Sequence, residues 1–350
     1  MSARARKGLR IDALVLVVLV ALAAALPLGA SGFTQSMALT CLMYVALATS
    51  WSLFCGSTRY LSLATSAFFG VGAYTSAFVL GSLPWAAAVG LGALLAVVLA
   101  VVMGSAVLHL RGTYFAVLTF GMTELIRHSI TLAEKSLAGT VGRVLVVVPE
   151  PLTVYYTVLA IAAAAVLVSL LVRRSRLGLA MAGIGGDEQR AQTLGVDTRR
   201  VKVIGFALTA AFAGAAGAAM SVRWTYIDPT TVFNPFIGFQ TVLIALVGGA
   251  ATLWGPVAAA VVFSVLAETL RLQLPQVYMM ALGVLLILSV LYLPNGLASL
   301  GDALRGRRRG DAPATVGAAS AVAPVAPSSS SAPAAPAAGG AASSREALDG

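Results

Sequence analysis

The chain has 350 residues, of which 59% are hydrophobic and only 10% are charged, and its formal net charge is +10. Soluble domains carry about 25% charged residues, so this composition and a mean hydropathy of +0.92 exclude an ordinary soluble fold. The positive charge does not indicate nucleic-acid binding, because most of it lies beside hydrophobic runs long enough to span a bilayer.

Ten hydrophobic segments follow one another along the chain, and each is a predicted membrane span. They cover residues 12–30, 35–54, 61–80, 84–108, 113–131, 154–172, 203–222, 238–252, 255–271 and 276–294. The segments at 61–80 and 238–252 are rich in small residues, and we expect them to be re-entrant or broken. The sequence thus predicts an all-α integral membrane protein, a polytopic helical bundle of about 8–10 transmembrane segments.

The positions of the lysines and arginines predict the orientation of these segments. Placing both termini in the cytoplasm puts most of the basic residues on the cytoplasmic side, as the positive-inside rule requires. Those residues are Arg4, Arg6, Lys7, Arg10, Arg59, Arg111, Arg173, Arg174, Arg176, Arg190, Arg199, Arg200, Lys202, Arg305, Arg307, Arg308 and Arg309. The outer side receives Arg127, Lys135, Arg143, Arg223 and Arg271.

Three regions follow from this topology. Residues 1–11 form a cytoplasmic N-terminus, and 12–30 stay an uncleaved first span because no A-x-A cleavage site follows. Residues 12–300 form the transmembrane domain. Residues 301–350 are a cytoplasmic tail, basic at first and then rich in Ala, Pro and Ser, which we expect to be disordered for want of large apolar anchors.

The longest polar stretch between two spans covers residues 173–202, and its charge places it in the cytoplasm. Gly185 and Gly186 are predicted to break a helix running on from the sixth segment. Asp187 and Glu188 then favour the start of a new helix of about two turns, which Gly195 ends. Ala191 and Leu194 share one face of it, and this apolar edge needs the groove of a partner. The alternative is a solvated helix at the membrane interface.

No catalytic constellation occurs in the sequence. None of the three lysines belongs to a G-x-x-x-x-G-K-[ST] phosphate loop, so the chain has no ATPase motif of that type. His109 and His128 lie in different segments without nearby cysteines, and no metal site is predicted. Cys41 and Cys55 are interpreted as small buried apolar residues.

Ionisable residues inside the predicted spans are the remaining candidates for function. Glu124, Arg127 and His128 share one helix face, and Glu124 lies eleven residues after Thr113, about 16 Å along the helix. Two interpretations stay open for Glu124: it pairs with Arg127 and holds helices together, or it lines a path for a solute or proton. Glu268 and Arg271 repeat the same acid–base spacing.

Four stretches resemble the LivM-type permease subunits of branched-chain amino acid ABC importers. YLSLATSAFFGVGAYTSA (60–77) resembles the family's Y-L-S-L-G-H-A-A-F-F-G-I-G-A-Y, and LRGTYFAVLTFGMTELIR (110–127) resembles its L-R-G-x-Y-F-A-I-x-T-L-G-F-x-E-I-x-R. SRLGLAMAGIGGDEQRAQTLGVDTRRVK (175–202) is similar to its ATPase-docking loop. VGGAATLWGP (247–256) and LPNGL (293–297) are similar to its closing motifs.

The chain also departs from that pattern. Ala64 and Thr65 replace Gly-His, Gly185 and Gly186 replace Arg-Glu, and Ala250 replaces a glycine. SLAGTVG (136–142) only loosely matches the family's outer loop. These departures leave the identity of the substrate and the strength of coupling open.

The resemblance implies a permease subunit in the bacterial plasma membrane, with no cofactor of its own. Its implied partners are a second, LivH-type permease, two cytoplasmic ATPase subunits that bind ATP–Mg, an external solute-binding protein and the lipid bilayer. Implied ATPase-coupling residues are Gly178, Ile184, Asp187, Glu188, Ala191, Leu194 and Gly195. Residues of a translocation path are Gly70, Gly72, Tyr114, Thr119, Glu124, Gly248 and Gly249.

Branched-chain or related amino acids are the expected solutes, with urea or short amides as the alternative inside the same family. A secondary transporter that uses Glu124 to couple an ion gradient is the alternative outside it. Neighbouring genes for ATPases, a second permease and a binding protein distinguish these classes.

We expect the tail to be dispensable. A chain that stops after Gly310 keeps the basic residues 305–309 and should insert and transport near normally, as measured by uptake per molecule of membrane-inserted protein. A loss of uptake larger than the loss of protein contradicts this expectation.

Overall fold

The computed structural model describes residues 3–29, 31–110, 112–145, 148–273, 280, 283 and 284. Most of the tenth predicted segment (276–294), the closing motif at 293–297, the basic cluster at 305–309 and the predicted disordered tail lie outside the described residues.

The structure is helical, with one short two-stranded ribbon in the described part. The helices are α1 (Ala3–Ala25), α2 (Gly32–Trp51), α3 (Thr65–Val79), α4 (Trp85–Val107), α5 (Thr113–Ala138), α6 (Pro151–Arg173), α7 (Arg176–Gly186), α8 (Glu188–Thr193), α9 (Thr198–Met220), α10 (Pro229–Val232), α11 (Pro235–Gly248) and α12 (Trp254–Gln273). Strands β1 (Arg143–Val144) and β2 (Tyr226–Ile227) pair antiparallel.

Six helical stretches of the described residues are long and apolar enough to cross a membrane. They are Gly32–Gly56, Trp85–Val107, Pro151–Arg173, Thr198–Arg223, Pro229–Gly248 and Trp254–Gln273. Ile11–Ala25 is a shorter apolar helix. Helix α3 has only 15 residues, and α5 has 26 but carries several charged side chains. The chain is therefore a polytopic all-α membrane protein, as its composition predicts.

Contacts between helix ends show that α1 and α6 run in opposite directions and that α12 begins at the same end as α1. Asp12, early in α1, accepts hydrogen bonds from Arg174 after α6 (2.6 Å) and from the indole of Trp254 at the start of α12 (3.2 Å). At the opposite end, the Tyr155 hydroxyl at the start of α6 donates to the Ala23 carbonyl near the end of α1 (2.8 Å). The positive-inside rule assigns the Asp12 end to the cytoplasm.

The helix-rich centre depends on small residues at the contacts of α3, α4 and α9. A Cβ atom at Gly72 of α3 would lie 1.9 Å from the Gly214 carbonyl oxygen of α9. A Cβ at Gly214 would lie 2.4 Å from the Cβ of Ala96 in α4. Association of helices in lipid relies on such close packing, because lipid tails are as apolar as the side chains. These helices therefore approach backbone to backbone.

Two predicted segments are shorter as helices than as apolar runs. The segment at 61–80 is helical only from Thr65, and the segment at 238–252 only as far as Gly248. Gly249 follows with φ +90°, a left-handed conformation that favours glycine. Within these limits each helix is continuous, and the expectation that the two segments are re-entrant or broken stays a prediction.

Neighbouring side chains satisfy the backbone of the stretch before α3. The Trp51 indole N–H donates to the Ser62 carbonyl (2.8 Å), and the Leu63 N–H donates to Thr119 Oγ1 (3.1 Å). Non-helical backbone at membrane depth is tolerated only where protein supplies such partners. The non-helical stretch before α3 is thus held in place by hydrogen bonds from α2 and α5.

Gly72→Ala should destabilise the bundle by about 1–3 kcal/mol, because the new methyl group overlaps the α9 backbone. Gly90→Ala is the matched control, since Gly90 is also a helical glycine and a Cβ there meets nothing within 4 Å. The thermal midpoint of the detergent-solubilised protein measures both. Equal midpoints for the two variants contradict the packing described for α3 and α9.

Candidate functional site

The polar loop between α6 and α9 folds into two short helices, α7 and α8. Ser175 caps α7 by accepting a hydrogen bond from the Gly178 N–H (3.4 Å). Asp187 caps α8 by accepting from the Gln189 and Arg190 N–H groups (3.0 and 3.2 Å). Gly195 ends the motif with φ +85°. The predicted start and stop of α8 are confirmed.

The helix break after the sixth segment lies earlier than predicted. Helix α6 ends at Arg173, and α7 begins at Arg176. Gly185 and Gly186 end α7 instead of ending a continuation of α6. The reason is the cap at Ser175, which satisfies the first N–H groups of a new helix.

Glycine is required at two positions of this loop by close backbone contacts. A Cβ at Gly178 would lie 2.2 Å from the Val172 carbonyl oxygen, and a Cβ at Gly185 would lie 2.2 Å from that of Ser57. Gly186 faces open space. Glycine at position 185 therefore lets α7 lie directly against the end of the α2 segment.

The apolar side chains of the loop divide into an inner and an outer set. Ile184 and Ala191 are both 4% exposed and belong to the main hydrophobic core. Leu194 is 84% exposed and Leu179 is 76% exposed. The prediction that Ala191 and Leu194 form one exposed edge is wrong, because the body of this chain covers Ala191 and leaves Leu194 alone at the C-cap of α8.

A buried ion pair anchors α8 to the bundle. Lys202 of α9 donates to Glu188 Oε1 (2.7 Å), to the Leu108 carbonyl after α4 (2.7 Å) and to the Tyr60 hydroxyl oxygen (3.3 Å). Tyr60, before α3, donates its hydroxyl hydrogen to Glu188 Oε2 (2.7 Å). The side chains of Lys202 and Glu188 are only 5% and 9% exposed. One network thus joins the loop to three membrane helices.

Aromatic rings underlie this network on the side of the membrane. Lys202 Nζ lies 4.8 Å from the centroid of the Tyr60 ring, which meets Phe115 edge-on at 5.3 Å. Phe206 packs against Phe115 at 6.3 Å and Phe68 at 5.2 Å. Because both side chains are nearly buried, removing one charge of the Lys202–Glu188 pair leaves the other unpaired, at a cost of about 3–5 kcal/mol.

Arg173 makes a second link beside the loop. Its guanidinium donates to Ser52 Oγ (3.3 Å), where α2 passes into a π-helical turn (Ser52–Gly56). It also donates to the carbonyls of Ala250 and Ala251, between α11 and α12. Buried main-chain carbonyls need a hydrogen-bond donor, and Arg173 supplies one to two carbonyls that accept no bond within a helix. Arg173, the last residue of α6, thereby holds in place both the π-helical turn after α2 and the link between α11 and α12.

Sequence reasoning counted Lys202 among the cytoplasmic basic residues and missed this network. Helix α9 begins at Thr198, so Lys202 lies inside it. The apolar face of α9 carries Phe206 and Thr209, four and seven residues further on, and both are buried. Extending that helical spacing backwards places Lys202 on the buried face. The sequence alone could therefore have identified Lys202 as a buried residue.

The seven residues predicted for a translocation path are Gly70, Gly72, Tyr114, Thr119, Glu124, Gly248 and Gly249. They lie on α3, on α5 and at the end of α11. A Cβ at Gly70 would overlap the Phe233 ring at 2.3 Å, and Gly72 packs on α9 as described above. Gly248 lies against Gly255, whose carbonyl oxygen is 2.4 Å from an added Cβ. These glycines occupy helix contacts and turns.

The three side chains of that set lie on α5. Thr119 is 1% exposed and accepts the Leu63 N–H, whereas Tyr114 is 78% exposed. Glu124 accepts a hydrogen bond from Arg127 Nη2, and His128 Nε2 lies 3.9 Å from the same carboxylate. The interpretation that Arg127 neutralises Glu124 fits this geometry. Contact of any of these residues with a solute stays a prediction.

In the described residues, no group of three or more His, Cys, Asp or Glu side chains is placed to hold a metal ion. Cys41 and Cys55 are free and buried, as the sequence predicts.

Comparison with known proteins identifies the family. Residues 33–291 match the family described as branched-chain amino acid transport system / permease component. The chain is 26% identical over 319 residues to the high-affinity branched-chain amino acid transport system permease protein LivM of Escherichia coli K12, covering 81% of this chain and 74% of that protein.

LivM of Salmonella typhimurium LT2 is 25% identical with the same coverage. No solved structure matches the chain. Since the family match covers more than half of the sequence, this chain belongs to the branched-chain amino acid transport system permease family.

Proposed function

We propose that this chain is a transmembrane permease subunit of an ATP-binding cassette importer in the bacterial plasma membrane. It carries branched-chain or related amino acids that an external solute-binding protein delivers. It pairs with a second permease, and two cytoplasmic ATPase subunits bind ATP–Mg and drive transport. Family membership and the names of the two LivM relatives support the solute class.

The observation that carries the proposal is the build of the α7–α8 loop. It projects the exposed Leu179 and Leu194 side chains, yet its inner face is fixed by Glu188 and Lys202. A loop that only connects two spans needs no buried ion pair, whose net contribution to stability is small. A loop that receives a push from an ATPase does need a stiff connection to the helices behind it.

The mechanism follows from the connections. A partner that contacts the Leu194 side of α8 displaces Glu188, which holds Lys202 of α9 and Tyr60 before α3. Lys202 also holds the end of α4 at Leu108. Helices α3, α4 and α9 pack tightly through glycines, so they respond together. ATP-driven movement at the loop thereby reaches the membrane core.

Leu194→Asp should weaken binding of the ATPase about tenfold or more, because it places a charge in an apolar contact. The fold should persist, since residue 194 is exposed. Recovery of the ATPase with the detergent-solubilised permease measures the effect. Val144→Asp is the matched control: Val144 is also exposed (64%) but lies at the opposite end of the molecule. Equal recovery for both variants contradicts the docking role of α8.

The double variant Glu188→Gln/Lys202→Met should uncouple the loop from the helices without leaving an unpaired charge. We expect near-normal ATPase recovery, with uptake per ATP hydrolysed lowered several-fold because α8 has lost its anchor. The single variant Glu188→Gln is the control for folding and should give less folded protein than the double variant. Uptake per ATP that stays at the wild-type value in the double variant contradicts the transmission role of the pair.

A further inference from the structure

Two stretches of chain, one after α5 and one after α9, pack together at the predicted outer end of the molecule. They are residues 139–145 and 226–233, here called the outer cap. Strands β1 and β2 pair between them, and the Tyr226 hydroxyl donates to the Val141 carbonyl. Ile227 is 1% exposed and belongs to a hydrophobic cluster separate from the main core. The outer cap is therefore an ordered unit with its own interior.

The outer cap is packed on α3. The ring of Phe233 lies so close to Gly70 that a Cβ atom there would be 2.3 Å from it. The Arg143 guanidinium lies over the ring of Phe78, 3.6 Å from its centroid, which is a cation–π contact. One contact comes from each of the two stretches. Helix α3 therefore contacts both halves of the outer cap.

Glu134, near the end of α5, adds a hydrogen-bonded link between the outer cap and α3. Its Oε2 atom accepts from the Tyr74 hydroxyl of α3 (2.6 Å) and from the Gly142 N–H of the cap (2.8 Å). The Arg143 Nε atom lies 3.9 Å from Oε1. The Glu134 side chain is only 7% exposed, and a nearly buried carboxylate is costly to leave without such partners. Glu134 therefore holds the cap and α3 in one arrangement.

The stretch containing α3 has the same kind of bond at its cytoplasmic end. There the Tyr60 hydroxyl donates to Glu188 of α8 (2.7 Å). From Thr65, where α3 begins, to Tyr74 the helix rises about 14 Å. Close packing stiffens this part of α3, since a Cβ at Gly217 of α9 would lie 2.0 Å from a main-chain oxygen of α3. Two tyrosine–glutamate bonds thus join α3 to the α7–α8 loop on one side and to the outer cap on the other.

We propose that Tyr74 and Glu134 are positioning residues that hold the outer cap on α3, so that α3 connects the outer surface with the α7–α8 loop. A displacement of the outer cap moves Tyr74 and, through α3, the bond between Tyr60 and Glu188. The ATPase docked on the loop thereby responds to events on the outer side. This inference rests on the proposed function, because it requires an ATPase and an external binding protein.

ATP hydrolysis by the full complex in lipid vesicles, with and without the solute-loaded binding protein, tests the assignment. Tyr74→Phe should lower the maximal stimulation several-fold, while the unstimulated rate per assembled complex stays near the wild-type value. Tyr155→Phe is the matched control, since it also removes a buried hydroxyl that donates a hydrogen bond (2.8 Å) at the outer end, but outside α3. Unchanged stimulation in Tyr74→Phe, or an equal loss in both variants, overturns the inference.

The double variant Tyr60→Phe/Tyr74→Phe tests whether the two bonds act through α3. If they act in series, losing one already breaks the connection, and the double variant should match the weaker single variant in maximal stimulation. Effects at distant, independent sites add as free energies, so their fold-losses multiply. Multiplied losses in the double variant contradict the connection through α3.

Two substitutions of Glu134 separate positioning from a general loss of folded protein. Glu134→Gln keeps an acceptor oxygen for the Tyr74 hydroxyl and the Gly142 N–H, and it should retain more of the stimulation per assembled complex than Glu134→Ala. Equal stimulation in these two variants overturns the role of Glu134. A wild-type complex that does not hydrolyse ATP faster with the binding protein refutes the proposed function itself.

Discussion

Main-chain polar groups inside a membrane need partners from the protein, and this requirement organises the chain at the places where its helices stop. The bilayer offers no water to an open N–H or carbonyl group, so each interruption depends on a neighbouring side chain. Lys202 serves the end of α4, Arg173 serves the link between α11 and α12, and Trp51 serves the stretch before α3. The places where helices stop near the predicted cytoplasmic end are therefore also the places where hydrogen bonds join separate elements of the chain.

These connections combine two kinds of packing. Glycines bring α3, α4 and α9 into backbone contact, which makes the centre stiff. Long polar side chains then attach the surface loop to that centre. A short helix such as α8 has little stability by itself, so its position depends on Asp187 at its start and on Glu188 within the core.

Much of this fold was predictable, because hydropathy and glycine report local properties of the chain. The helices in the nine predicted segments that precede residue 273, and the caps at Asp187 and Gly195, all follow from neighbouring residues. The roles of Lys202 and Ala191 did not follow in the same way. Both depend on what lies across from them, Glu188 and the body of the bundle, and those contacts join residues distant in sequence or in different elements.

The residues predicted for a translocation path show the same limit of sequence-based prediction. Gly70 and Gly72 lie in a stretch that resembles a family motif, yet their close contacts account for glycine without any solute. A motif records a constraint on the chain and does not state its cause. Only the distances to Phe233 and Gly214 distinguish a packing glycine from one that leaves space for a ligand.

The anchor of α8 makes the loop unsuitable for exchange between relatives as a separate module. A segment covering residues 175–197 from another permease would bring its own residue at position 188, but Lys202, Tyr60 and Leu108 would remain those of this chain. An acidic residue at 188 would restore the contact, and a basic one would set two like charges together in a buried site. A change at position 188 of this loop therefore has to be compatible with residues in three separate stretches of the membrane domain.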